Sequence, residues 1–269
     1  MRTYPRCWSH VFAGKALRYS PAGENGIRND GGQRRLVCEQ DGAETETEFD
    51  RLLVAVGRQA ATAGYGLEEA GVALNRDGTI ATDARLRTSC PSIYACGDVA
   101  GPYQFTHVAA HQAWYATVNA LFGPFKTFRA DYSSIPRVTF TDPEIARVGL
   151  NETEAQAQGI ACEVTRYDLE HLDRAIADEA ATGMVKVLTV PGRDRILGAT
   201  IAGEHAGELI AEYVSAMRNH IGLNRILGTV HAYPTLAEAN KFAAGEWKKA
   251  HAPQRLLKMV ERFHRWRRG

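Results

Sequence analysis

Residues 93–101 read IYACGDVAG, and residues 105–123 read FTHVAAHQAWYATVNALFG. The first stretch predicts a short apolar strand that ends at Gly97 and Asp98. Asp98 then presents a carboxylate, a good acceptor for a sugar-like hydroxyl, and Gly97 lets a ligand come close to the backbone. The three- and four-residue spacing of the second stretch predicts a helix over 106–122.

The bulk composition is that of an ordinary globular protein. The chain has 269 residues, of which 45% are hydrophobic and 23% charged, a length that suits about two domains. A net charge of +1 predicts neither a nucleic-acid nor a membrane partner. Five scattered cysteines favour neither a disulfide framework nor a metal site. The chain shows no apolar run of spanning length and no signal-peptide core, so we expect a cytoplasmic protein.

The two halves of the chain differ in their hydrophobic patterning. In the first half, residues 34–40 and 47–57 predict two strands joined by an Asp41-Gly42 turn, with Leu52 to Val56 as a buried strand. After Ala130, period-two strands are followed by amphipathic helices, which is typical of a separate α+β domain. Its predicted strands lie in residues 137–150, 162–169, 184–190 and 195–203, and its predicted helices begin at residues 151, 205 and 235.

The stretch HAYPTLAEA, residues 231–239, has two interpretations. Thr235 followed by Glu238 fits a capping box at a helix start. Together with His231 and Tyr233, the same residues also form a candidate catalytic cluster.

The C-terminal stretch, residues 254–269, predicts a basic amphipathic helix. Such a helix could contact acidic lipid or RNA, but we favour a helix that docks on its own domain and keeps its basic face in solvent. The apolar face comprises Leu256, Leu257, Val260, Phe263 and Trp266, and the basic residues are Arg255, Lys258, Arg262, Arg265, Arg267 and Arg268.

Several motifs resemble, in order, segments of the two-dinucleotide disulfide oxidoreductases, a family that includes glutathione reductase, dihydrolipoamide dehydrogenase and mercuric reductase. The resemblance runs colinearly from about residue 33 to residue 250. Its motifs are LLVAVGRQAAT at 52–62, GTIATDARLRTSCPSIYACGD at 78–98, the helix that opens THVA at 106–109, VTFTDPEIARVGLNETEA at 138–155, and HAYPTLAEA.

The resemblance implies an α/β plus α+β fold, the C-terminal part of a two-dinucleotide flavoprotein. Residues 1–56 correspond to a remnant of the NAD(P)-binding domain and residues 57–130 to the last segment of the FAD-binding domain. Residues 131–250 correspond to the dimerisation domain, which implies a homodimer, and residues 251–269 form the basic tail.

The resemblance also implies FAD and NAD(P)H as cofactors and a small-molecule electron acceptor. Asp98 corresponds to the residue that holds a ribityl hydroxyl of FAD, with Gly97 beside it. The helix start would direct its positive end at the flavin, and Gly57 and Arg58 correspond to the crossover between the two cofactor domains. The helix-start residues carried over are Thr106, His107, Val108 and Ala109.

In family members that handle dithiols, the histidine directly before the proline is the acid–base, and the following glutamate orients it. Tyr233 occupies that position here, with Glu238 as the glutamate, whereas His231 is the outer histidine. Mercuric reductases also carry tyrosine there, although they end in a cysteine pair and this sequence ends in WRRG. We therefore expect a mercuric-reductase-like flavoprotein.

The sequence shows neither G-x-G-x-x-G turn of the family nor its C-x-x-x-x-C redox pair. We therefore expect the C-terminal half of a larger enzyme, which alone binds flavin weakly and is inactive. The alternative is a non-catalytic dimerisation module derived from the same family, and a third, weaker possibility is a protein that acts through its basic tail.

Overall fold

A computed structural model of the chain describes residues 27–40, 43–53 and 57–268. The chain divides into two compact units, residues 1–59 and residues 60–269. The predicted Asp41-Gly42 turn and the end of the predicted buried strand, residues 54–56, lie outside the described residues.

The described part of the first unit is a three-stranded antiparallel sheet in the order β1–β2–β3. Its strands are β1 (Ile27–Asp30), β2 (Gln33–Gln40) and β3 (Ala43–Glu48). Arginine side chains of β1 and β2 face glutamates of β3, and the directly opposite pair Arg35–Glu48, at 3.4 Å, stabilises the register of β2 with β3.

The second predicted strand of this unit is displaced. The observed partner of β2 is residues 43–48, and residues 51–53 have no regular structure. Leu53 is 85% exposed, so the described part of the predicted buried strand is not buried. A wholly apolar strand needs cover on both faces, which the described part of this unit does not supply, whereas the charged β3 pairs favourably with β2.

The first part of the second unit consists of extended segments packed beside one helix, α1 (Thr106–Phe122). The helix has the predicted bounds. The predicted strand at residues 93–98 is instead extended backbone with one antiparallel bridge, Arg87 to Tyr94. A ladder requires a longer neighbouring strand, and the described residues provide none there. A small core packs under these segments and comprises Val72, Ile80, Ala95 and Ala100.

The rest of the second unit contains a five-stranded antiparallel sheet in the order β4–β5–β8–β7–β6. The sequence predicts a strand, a turn and a strand over residues 137–150, and the period-two patterning predicts the other three strands, in which alternate side chains face opposite sides of the sheet. The five strands are β4 (Arg137–Thr139), β5 (Glu144–Gly149), β6 (Glu163–Asp168), β7 (Met184–Thr189) and β8 (Ile196–Gly203).

Helices cover this sheet and complete its hydrophobic core. Tyr213 and Trp247 are the large aromatic side chains of the core, where they join the apolar faces of the sheet strands. The predicted capping box forms, since Asn151 accepts from the Glu154 amide and Glu154 accepts in return. The helices are α2 (Glu152–Ala157), α3 (Asp173–Ala177), α4 (Ala206–Arg218), α5 (Leu223–Gly228) and α6 (Glu238–Ala250).

The predicted C-terminal helix forms as α7 (Gln254–Arg268), but it is not docked. No residue of α7 is buried, and Trp266 is 79% exposed. The favoured interpretation, a helix packed on its own domain, is therefore wrong: α7 makes its local hydrogen bonds without covering its apolar face. Among the described residues, no helix combines the length and the apolar character needed to cross a membrane.

Candidate functional site

The turn at residues 97–101 is fixed to α1 by one buried amide. The Gly97 N–H donates to Oε1 of Gln112 at 2.7 Å, and Nε2 of Gln112 donates to the Gly101 carbonyl at 2.7 Å. The same Nε2 lies 2.9 Å from the Tyr132 hydroxyl. Gln112 has no exposed surface. Both ends of the turn are therefore held at a defined position beside the helix.

Gly97 packs closely against the first turns of α1. Its φ is +81°, and a Cβ built on it would lie 3.4 Å from Cβ of Ala109. A larger residue would be strained there, because L side chains rarely adopt this conformation. Asp98 follows in the same turn and is half-buried. The backbone thus presents a carboxylate from a rigid turn.

The start of α1 is open to an anionic group. Its N-cap, Phe105, provides no side-chain hydrogen bond, and the first helical turn contains no acidic residue. The amides of this turn have no intrahelical acceptor, and they carry the positive end of the helix dipole. Thr106 and His107 are exposed there, Val108 is buried, and Ala109 is half-buried.

The imidazole of His107 is already engaged. Its Nε2 lies 3.0 Å from the Pro136 carbonyl, and its ring stacks on Phe105 with centroids 5.2 Å apart. At the helix start, His107 is therefore a hydrogen-bond donor to a ligand through its backbone N–H more than through its ring.

The loop before α6 separates the residues of the candidate catalytic cluster. Nε2 of His231 lies 3.0 Å from Oε1 of Glu212, and Nδ1 lies 3.0 Å from the Thr229 carbonyl. Asn240 donates to the other oxygen of Glu212 at 2.9 Å. The His231 side chain is only 7% exposed. His231 is thus held as a bridge between the loop and α4.

Tyr233 points away from this bridge and is 70% exposed. Its hydroxyl donates to Oδ2 of Asp173 at 3.1 Å. The hydrogen bond to Asp173 and the negative charge of Asp173 raise the pKa of the Tyr233 phenol above its ordinary value. The phenol therefore stays protonated at neutral pH, where it acts as a hydrogen-bond donor.

Glu238 forms half of the predicted capping box. Its Oε2 accepts from the Thr235 N–H at 3.3 Å, but the Thr235 hydroxyl donates to the Ala232 carbonyl at 2.7 Å. The helix begins at Glu238 itself, after an Ala237 N-cap that makes no side-chain bond. The predicted reciprocal capping box is therefore wrong in one of its two hydrogen bonds. The Thr235 hydroxyl bonds to the preceding turn and does not accept from the Glu238 amide. Glu238 is 7% exposed.

The predicted site residues fall into three places. The turn at Gly97 and Asp98 is bonded to α1, whereas Tyr233 bonds to Asp173. Gly57 and Arg58 lie in the first unit and are exposed, and their assignment stays a prediction. Four residues that bond within these places were not predicted from the sequence. For two of them, Gln112 and Asn240, the sequence does carry a signal, since each is a polar residue on the apolar face of a helix. The four are Gln112, Asp173, Glu212 and Asn240.

The fold is that of the flavoprotein disulfide reductases. The flavoprotein disulfide reductase RclA from Escherichia coli superposes with a TM-score of 0.72 and 26% identity, over 81% of this chain and 49% of RclA. LpdA from Mycobacterium tuberculosis superposes with a TM-score of 0.73 and 28% identity, over 81% of this chain and 46% of LpdA.

The chain belongs to the pyridine nucleotide-disulphide oxidoreductase family. Residues 135–244 match the family's dimerisation domain, and residues 23–113 match a second domain of the same family. Dihydrolipoyl dehydrogenase from Chlamydia muridarum is 42% identical over 71% of this chain and 40% of its own length. Mercuric reductase from Streptomyces lividans is 36% identical over 81% of this chain and 46% of its own length. The chain thus spans less than half the length of these relatives.

Proposed function

We propose that this chain forms part of an FAD-dependent NAD(P)H oxidoreductase that passes electrons through flavin to a small-molecule acceptor. The observation that carries the proposal is the turn at residues 97–101, which Gln112 fixes beside the open start of α1. Membership of the family, and the names of its relatives, support the same activity.

The residues of this turn fit a flavin nucleotide. Gly97, in its left-handed conformation, packs against Ala109 of α1, and the adjacent Asp98 offers a carboxylate to a ribityl hydroxyl. The first-turn amides of α1, from Thr106 to Val108, would face the pyrimidine edge of the flavin and stabilise negative charge there. FAD, when bound, would supply the redox chemistry that links NAD(P)H to the acceptor. Gly57 and Arg58 are assigned to the cofactor crossover by family resemblance alone.

Tyr233 supports a mercuric-reductase-like member of the family. Its phenol donates its one proton to Asp173, which raises the pKa of the phenol and makes it a poor general base. We therefore propose that the electron acceptor is a metal ion such as Hg(II), or a disulfide for which a group other than Tyr233 transfers the proton.

Exposed apolar residues of the dimerisation domain support a homodimer. Val230 is 92% exposed and directly precedes His231, and Phe140 at the end of the edge strand β4 is also exposed. Such residues need cover, which a second copy of the domain would supply.

The cofactor assignment is tested by flavin titration of the chain. FAD fluorescence is followed up to millimolar concentration for the unchanged chain and for Asp98→Asn. We expect weak binding by the chain and at least about tenfold weaker binding by Asp98→Asn, because a charge-assisted hydrogen bond is worth about 1.5–3 kcal/mol.

Glu179→Gln is the control for the loss of one carboxylate, since Glu179 is an exposed acidic residue of the dimerisation domain. Equal FAD binding by Asp98→Asn and Glu179→Gln would contradict the role of Asp98. No binding at millimolar FAD would instead favour the alternative, a non-catalytic dimerisation module.

The acceptor is tested separately on the full-length enzyme, by NADPH consumption with Hg(II), small disulfides, quinones or O₂. Turnover with Hg(II) or disulfides supports the proposed acceptor classes. Turnover with only quinones or O₂ would remove the mercuric-reductase-like assignment.

A further inference from the structure

The helix α7 carries an apolar face that nothing in the described part of the chain covers. In α7 Met259 takes the place predicted for Leu257 from the sequence, so that Leu256, Met259, Val260, Phe263 and Trp266 follow the three- and four-residue spacing of one helix face. All five are exposed. A contiguous apolar face of this kind in solvent marks a contact surface.

The opposite face of α7 is strongly basic. Arg255, Lys258, Arg262 and Arg265 follow one another at three- or four-residue steps. Arg267 and Arg268 bring α7 to six cations, with Arg267 on the side of Phe263, four residues before it, and the single acidic residue, Glu261, pairs with Arg265 at 2.7 Å. The charge of α7 is therefore far from that of the chain as a whole, whose net charge is +1.

Pro253 separates α7 from the domain that precedes it. The helix α6 ends at Ala250, and the Pro253 carbonyl accepts the first helical hydrogen bond of α7, from Leu257 at 3.0 Å. Proline has no N–H and disfavours helical backbone before it, so α6 does not continue through this point. The apolar face of α7 is thus independent of the register by which α6 packs on the sheet.

We propose that α7 binds the surface of an anionic lipid membrane, with its apolar face among the acyl chains and its basic face toward the lipid phosphates. This revises the sequence-based expectation of no membrane partner. Fifteen residues make a helix of about 22 Å, shorter than the roughly 30 Å hydrocarbon core, so the helix lies in the plane of the interface. Aromatic residues opposite a Lys/Arg-rich face are typical of such interfacial helices.

The charge and the apolar face together favour lipid over other partners. RNA would contact only the basic face and leave the apolar face in water. A second α7 would cover the apolar face but would bring two strongly cationic helices together, and like charges repel. An anionic membrane satisfies both faces at once.

The test is flotation of the full chain with phosphatidylcholine vesicles, with and without 30% phosphatidylglycerol. We expect binding only to the anionic vesicles, weakened by high salt. Lys258→Glu with Arg262→Glu should reduce binding about thirtyfold or more, because each cation near an anionic surface is worth about 1 kcal/mol. Phe263→Ser with Trp266→Ser should also abolish flotation, because it removes the two aromatic rings from the apolar face.

Matched controls distinguish binding through α7 from the effects of net charge and of nonspecific hydrophobic adsorption. Arg193→Glu with Arg195→Glu makes the same change in net charge at the exposed turn before β8, and Phe125→Ser removes another exposed aromatic ring. Both controls should float like the unchanged chain.

Three results would overturn the proposal: equal binding to neutral vesicles, equal loss in the control variants, or no flotation of the unchanged chain. Sedimentation velocity and RNA gel shifts on the same variants then show whether the apolar face joins two copies or the basic face binds RNA. The result is independent of the proposed flavin function, because α7 contains none of its residues.

Discussion

Tyr233 and Asp173 form a pair that joins the loop before α6 to the start of α3. The hydroxyl–carboxylate contact of 3.1 Å lies at an exposed position, so its effect is on protonation more than on stability. Its neighbour His231 is instead engaged by Glu212 and by the Thr229 carbonyl. At the scale of single residues, the loop therefore exposes the hydroxyl of Tyr233, a hydrogen-bond donor, and buries the imidazole of His231, which has a structural role.

Asp173→Asn should lower the pKa of the Tyr233 phenol toward its ordinary value. The carboxylate of Asp173 accepts the phenol proton and repels the phenolate, and both effects disfavour deprotonation. The measurement is alkaline titration of tyrosinate absorbance, with Tyr233→Phe subtracted to isolate this residue. Glu179→Gln is the control and should leave the titration unchanged; an unchanged curve for Asp173→Asn as well would rule out the pair.

At the scale of elements, α1 matters because of what Gln112 fixes to it. One amide side chain satisfies the Gly97 N–H and the Gly101 carbonyl, so the turn and the helix behave as one piece. Asn119, one turn before the end of α1, plays a similar part, since it accepts from the Phe128 N–H and donates to the carbonyls of Arg85 and Phe128. Two buried amides thus anchor irregular segments along one helix.

Gln112→Leu should destabilise the chain by about 2–6 kcal/mol, because it leaves two buried backbone groups without partners at about 1–3 kcal/mol each. Urea unfolding measures the change. Gln156→Leu on the exposed surface of α2 is the matched control and should stay within about 0.5 kcal/mol. If both variants unfold at the same urea concentration, the turn is held by other contacts.

At the scale of the whole molecule, the dimerisation domain has its own core, and it also leaves large apolar side chains exposed. Among these, Val230 has the greatest exposed fraction and stands beside the His231–Glu212 bridge. The proposed homodimer would cover this region with a second copy. An interface there would bring the partner's loop, and hence its Tyr233, into a shared site.

Val230→Lys should raise the dimer dissociation constant at least tenfold, because a two-fold interface would bury the new charge twice. Sedimentation velocity over a dilution series measures it. Phe125→Lys places the same charge at an exposed residue outside the matched domain, and it should leave the dimer intact. A dimer that tolerates Val230→Lys would place the interface elsewhere.

Local patterning by itself determined much of the fold. Period-two stretches predicted β6, β7 and β8, helical spacing predicted α1 and α7, and Asn151 with Glu154 predicted the cap of α2. These features depend on neighbours within a few residues, so the linear order of side chains is enough to specify them. The motifs around Gly97 and Tyr233 likewise indicated the family.

Only the tertiary structure decided which groups meet across long separations. Asp173 reaches Tyr233 over 60 positions and Glu212 reaches His231 over 19, and no spacing rule connects either pair. The exposed apolar face of α7 and the exposed Leu53 have the same cause. An apolar stretch is buried only where other elements supply a surface for it. Amphipathic patterning states what a segment can cover, and the packing of the whole chain determines whether that surface is present.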